Sequence, residues 1–126
     1  MAGITGLGGV FVKRADPEAT SAWYKDVLGV SGEYGPMFRW ADEPKEDPYS
    51  LLSSFPDDTS YLDPGTRGFM INFRVDDLDA FQAALEAKGV EILGRADEPY
   101  GKFAWILDPD GIKLELWEQI GPSPAG

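Results

Sequence analysis

Residues 108–118 read DPDGIKLELWE. Asp108, Pro109 and Gly111 supply turn chemistry, because proline presets φ and glycine tolerates whatever conformation the exit needs. A strand is expected from Ile112 onward. Strand side chains alternate between faces, so Leu114 and Leu116 share one face while Lys113, Glu115 and Trp117 share the other. A carboxylate thus stands beside an indole on one sheet face. Whether Glu115 ligates a metal, carries a proton or contacts a ligand depends on what the rest of the chain brings to it.

The chain has 126 residues, 43% of them apolar and 13% aromatic, which suits one domain with a buried core. It contains no cysteine and no histidine. Disulfides, thiolate chemistry and zinc-thiolate sites are therefore excluded, as are the commonest transition-metal ligand and the usual general base near neutral pH. Neither a basic, apolar leader nor a run of about 18 apolar residues occurs, so a cytoplasmic location and no membrane partner are expected. A formal net charge of -11 opposes binding to phosphate backbones, so no nucleic-acid partner is expected either.

Working outward from 108–118, the order of elements repeats. Residues 10–13 read as a strand, and Asp16-Pro17-Glu18 reads as an N-cap, a proline at the first helical position and an acid in the first turn. Ala19, Ala22, Trp23 and Val27 keep helical spacing, which makes Trp23 a core residue, until Gly29 ends the helix. Residues 30–40 and 50–55 look like strands separated by an exposed loop at 41–48. Residues 56–66, rich in Pro, Asp, Ser and Gly, connect two halves. Residues 68–75 then read as a strand, Asp77 as an N-cap, and Leu78, Phe81, Ala84 and Leu85 as a helical stripe closed by Gly89. Strands at 90–93 and 103–107 precede the opening stretch.

At an offset of about 60 residues, Asp16-Pro17-Glu18-Ala19 falls on Asp77-Leu78-Asp79-Ala80, and Gly29-Val30 falls on Gly89-Val90. Two β-α-β-β-β modules result, at about 4–56 and 67–120, in a single domain spanning 1–120 with a flexible tail at 121–126. A module of about 60 residues is marginal alone, so the two are expected to close a curved mixed sheet around a cleft, an α+β fold. Period two sends Gly9, Phe11, Lys13, Leu51, Ser53, Phe55, Met70, Asn72, Arg74, Lys113, Glu115 and Trp117 to the cleft face. For 102–107 the alternation admits either Phe103 and Trp105 or Lys102 and Ala104 inward, and we favour the aromatics.

The runs DPEATSAWYKDVLGV, FRVDDLDAFQAALEAKGVEI and DPDGIKLELWE, in this order and covering nearly the whole chain, resemble the vicinal oxygen chelate superfamily. That superfamily holds glyoxalase, extradiol dioxygenases, fosfomycin-resistance enzymes and bleomycin-resistance proteins. The resemblance implies the glyoxalase/bleomycin-resistance fold, a homodimer and a ligand in the cleft. It also implies a divalent metal held from the first and last strands of each half. Of those four positions only Glu115 carries a family-type ligand, the others being Gly9, Ser53 and Met70. The expectation is therefore no metal and no cofactor.

Three functions remain open. The leading one is a metal-free small-molecule binder, similar to the bleomycin-resistance branch that sequesters an antibiotic. Phe11, Leu51, Phe55, Met70, Trp105 and Trp117 would enclose an aromatic or apolar ligand, and Lys13, Ser53, Asn72, Arg74, Lys113 and Glu115 would orient it. The alternative is a metal-independent lyase or isomerase with Glu115 as its acid or base, since an apolar cavity raises a carboxylate pKa. A protein interaction module is the third.

Overall fold

Two aspartates start two helices. In the computed structural model, which describes residues 2–124, the Asp16 carboxylate accepts the Ala19 backbone N–H at 3.1 Å and begins α1, Pro17–Trp23. The chain continues as a π-helical turn, Tyr24–Leu28, and stops at Gly29 with φ 76°. The Asp77 carboxylate accepts the Ala80 N–H at 3.1 Å and begins α2, Leu78–Ala87, followed by Gly89 at φ 82°. A capping side chain of this kind is worth about 1 kcal/mol.

The sheet comes wholly from the second half. Its strands are β1, Ile71–Arg74; β2, Gly94–Glu98; β3, Gly101–Leu107; and β4, Lys113–Gln119, in the order β1-β4-β3-β2. β1 runs parallel to β4, and the other pairings are antiparallel, so the sheet is mixed. The crossover between β1 and β2 is α2. Leu114 and Leu116 take the helix side, as alternation requires, and pack with Ala104, Ile106, Leu78 and Leu85. Each buried leucine contributes about 1.5–3 kcal/mol. From the first half, Tyr24 and Leu28 join this core, with Val12, Trp23 and Val27 at its margin.

A polar knot ties α1 to the turn that precedes β4. Asp108, whose side chain is 0% exposed, accepts from Arg14 at 2.6 Å and from Tyr24 at 2.8 Å through Oδ2. Its Oδ1 accepts the N–H groups of Asp110 at 2.9 Å and Ile112 at 3.0 Å, which holds the turn. Gly111 stands at φ 77°, the left-handed conformation this turn needs on leaving. Asp110 accepts from Arg14 and Thr20, both at 3.2 Å. Burial, then the neighbouring Asp108 carboxylate, pushes the Tyr24 phenol well above its ordinary pKa, so it remains a donor.

Four expectations are corrected. Residues 10–13, 30–40 and 50–55 are not strands; they lie extended or turned, apart from one isolated bridge at Glu33 and Gly35 and a short 3-10 turn, Trp40–Asp42. Period-two patterning dictates an extended backbone, but a ladder also needs a neighbour offering free N–H and C=O groups, and that pairing is non-local. The α+β class and the mixed sheet stand as expected, but the four-stranded sheet is open, not closed around a cleft by strands of both modules. In consequence α1 covers no sheet of its own and packs on the sheet of the second half. Finally, the strand expected at 90–93 is Gly94–Glu98 instead, because β2 is an edge strand whose outer side faces solvent and tolerates Arg95, Asp97 and Glu98. The tail expected to be flexible includes Ala125 and Gly126, which lie outside the described residues; Ser123 donates its N–H to Asp47 at 2.7 Å.

Candidate functional site

The sheet face opposite the helices is paved with aromatic rings because β3 and β4 place them in register. Phe103 is opposite Trp117, and Trp105 is opposite Glu115. The Phe103 ring lies nearly parallel to that of Trp117, at 6.5 Å and 2°, and to that of Trp105, at 6.5 Å and 14°. These are offset-stacked separations, which hold flat faces side by side. Two glycines, Gly94 opposite Trp105 and Gly101 diagonal to Trp117, make room for the indoles. A Cβ on Gly101 would stand 2.7 Å from Trp117 Nε1, and one on Gly94 would stand 3.3 Å from the Trp105 ring.

Three polar groups sit at one end of this pavement. Tyr61, from the connecting segment, donates its hydroxyl to Glu115 Oε1 at 3.0 Å and sets its ring edge against Trp105 at 6.2 Å. Burial, reinforced by the Glu115 charge, pushes the Tyr61 phenol up to about 12, so it stays protonated over the working pH range. Lys113 donates to the Tyr61 carbonyl, and its ammonium lies 5.0 Å from the Tyr61 ring centroid and 5.6 Å from that of Trp105. Burial lowers the Lys113 pKa, while Glu115 and Asp63 oppose that shift. A pocket of about 290 Å³ opens here, walled by Tyr61, Tyr100, Phe103 and Trp105 with Glu98 and Glu115.

At the other end Arg74 lies over Trp117, 4.8 Å from its ring centroid, and donates to Glu43, to the Tyr49 carbonyl and to Gln119 Oε1 at 2.7 Å. Tyr49 closes edge-on over Trp117 at 5.1 Å. The Trp117 indole N–H is buried without an acceptor among the described residues.

Of the residues singled out in the sequence, Trp105, Lys113, Glu115 and Trp117 come together with Arg74. Asn72 is paired with Glu115 across β1 and β4. Phe55 reaches the group through Tyr61, whose ring it meets at 5.2 Å. Met70 lies half-buried just before β1. Phe11, Lys13, Leu51 and Ser53 lie exposed on unpaired segments, Phe11 by 99%. Sequence reasoning missed Tyr61, Tyr100, Tyr49 and Glu98. Tyr61 had one signal available, a large aromatic residue beside Leu62 in a connection whose other residues are Pro, Asp, Thr, Ser and Gly.

An aromatic sheet face in a β-α-β-β-β module with strand order β1-β4-β3-β2 defines a class, and sequence comparison agrees with it. The sequence model of the Glyoxalase/Bleomycin resistance protein/Dioxygenase superfamily matches residues 6–116, and the chain belongs to that superfamily. It is 30% identical to the uncharacterized protein YaeR of Escherichia coli (strain K12), with 94% of this chain and all of that protein covered. Among solved structures it is similar to TnmS3, an antibiotic binding protein from Streptomyces sp. CB03234. There the identity is 25%, the TM-score 0.60, and the coverage 95% of this chain and 100% of that one. It is also similar in fold to a superfamily member from Sphaerobacter thermophilus, at 20% identity and TM-score 0.54, covering 92% of this chain and 98% of that one. Among the described residues no helix is long and apolar enough to cross a membrane.

Proposed function

We propose that this protein is a metal-independent binder of a small aromatic or apolar molecule, with antibiotic sequestration as its use. The observation that carries the reading is the row of near-parallel rings, Trp105, Phe103 and Trp117, beside the Tyr61–Glu115 pair and the pocket of about 290 Å³. Flat, clustered π faces stack a planar ligand, and a few polar groups at one end fix its orientation. The likeness to an antibiotic binding protein over nearly the whole chain supports the same use.

The donor set argues against a metal of the superfamily type. Gly9 and Met70 offer no hard donor, Ser53 lies exposed, and Glu115 already accepts the Tyr61 hydroxyl. Among the described residues no three Asp or Glu side chains converge as metal ligands. A homodimer belongs to the proposal, supported by Ile4, Phe11 and Leu52, which stand exposed on segments whose backbone has no strand partner among the described residues.

Titration of tryptophan fluorescence with a panel of planar aromatic natural products tests the reading. Saturable quenching that is lost in Trp105→Ala is expected; no quenching by any member of the panel overturns it. Glu115→Gln separates binder from lyase or isomerase, because a binder loses affinity modestly whereas an acid–base enzyme loses nearly all turnover.

A further inference from the structure

We infer that the ligand carries a cationic nitrogen, an ammonium or amidinium group, and that this group seats in the pocket of Tyr61, Tyr100, Phe103 and Trp105 against Glu115 and Glu98. The inference rests on the binder reading and adds the ligand's charge to it. Its starting point is how this sheet face treats cations. Lys113 sits over the rings of Tyr61 and Trp105, at 5.0 and 5.6 Å, and Arg74 sits over those of Trp117 and Tyr49, at 4.8 and 5.9 Å. At both ends, then, ring faces already hold a positive charge, because the π quadrupole is negative on the face.

Between those ends lies a stretch of π surface with no cation of its own. Phe103 is stacked on both indoles, and Tyr100 stands edge-on to it at 6.0 Å. The pocket there is walled by two carboxylates and by no lysine or arginine. The Glu98 side chain makes no hydrogen bond or ion pair among the described residues, and Glu115 accepts from Tyr61 through Oε1 with the Lys113 ammonium as its charged neighbour. Lys113 already occupies the Tyr61 and Trp105 faces at the Glu115 end, so two carboxylates against one ammonium leave net negative charge beside the free Phe103 and Tyr100 rings, which favours a positively charged guest over a neutral or anionic one. The net charge of -11 works in the same direction at long range.

A matched set of probes decides the matter: phenyltrimethylammonium, its neutral isostere tert-butylbenzene, and benzenesulfonate, each titrated by tryptophan fluorescence on the full chain at low salt. The cation is expected to bind about tenfold more tightly than the isostere, and benzenesulfonate not to bind measurably. In the Glu98→Gln/Glu115→Gln double variant the preference, taken as the ratio of the two affinities measured on that same variant, should fall to within about twofold. An unchanged circular dichroism spectrum establishes that this variant is folded; if it is not, the single variant Glu98→Gln, at an exposed position, carries the test with a smaller loss of preference. Equal affinity for cation and isostere overturns the inference and leaves the binder reading standing. Failure of all three probes and of the aromatic panel overturns both.

Discussion

Replacing Asp108 with Asn tests whether the polar knot joins the first half to the second. The carboxylate is fully buried and accepts four hydrogen bonds, two from the turn backbone and two from Arg14 and Tyr24 at 2.6 and 2.8 Å. Asparagine keeps the volume and one oxygen for the turn, but turns an N–H₂ group towards two donors. Hydrogen bonds to a charged group contribute about 1.5–3 kcal/mol, and breaking a buried ion pair costs about 3–5 kcal/mol. Asp110, 3.2 Å from Arg14, takes up part of the orphaned charge. We therefore expect a loss of about 3 kcal/mol, read as a lower urea midpoint with an unchanged slope. Arg14→Met combined with Asp108→Asn should show coupling of at least about 1 kcal/mol in a double-mutant cycle. A loss below about 0.5 kcal/mol, the range of surface substitutions, or additive effects would refute the reasoning.

Gly101→Ala drives a Cβ to 2.7 Å from Trp117 Nε1, and thermal unfolding should show destabilisation of about 1–3 kcal/mol. In an alkaline titration followed at the phenolate absorbance, Tyr61 should ionise near pH 12, and Tyr61→Phe should remove that late step. Because its folded pKa lies above the unfolded value of 10, its contribution to stability is fully present below pH 10 and is lost as pH rises through about 12. Arg95→Ala breaks surface pairs to Asp79 at 2.7 Å and Asp97 at 2.6 Å; denaturant titration should show a cost under about 1 kcal/mol, since exposed pairs are screened. Light scattering should give the mass of two chains, with Phe11→Ser/Leu52→Ser shifting the equilibrium towards one.

Local chemistry made the helices and the β4 face readable. The Asp16 and Asp77 caps, the glycines that close both helices and the alternation of Leu114 and Leu116 against Glu115 and Trp117 all depend on neighbours within a few residues. The unpaired first-half segments were not readable in the same way, because alternation at 10–13 or 50–55 fixes which side chains share a face without naming a partner strand. Likewise the site was half legible. Glu115 and Trp117 follow from period two, whereas alternation alone left the inward face of 102–107 open between Phe103 with Trp105 and Lys102 with Ala104. Tyr61 and Tyr49 come from loops whose paths over the sheet are set by tertiary packing, such as the Lys113 bond to the Tyr61 carbonyl. β2 was expected too early, at 90–93, because the edge strand Gly94–Glu98 carries polar residues that read as loop.

The central claim is that the Trp105–Phe103–Trp117 face is the binding surface. The four tryptophans give four indole N–H signals in a nitrogen-15 correlation spectrum, assigned by single Trp→Phe variants and followed while a quenching aromatic ligand is added. The Trp105 and Trp117 signals should move saturably while those of Trp23, beside the core, and Trp40, 74% exposed, stay in place. Movement confined to Trp23 or Trp40, or no movement with any ligand of the panel, would contradict the account.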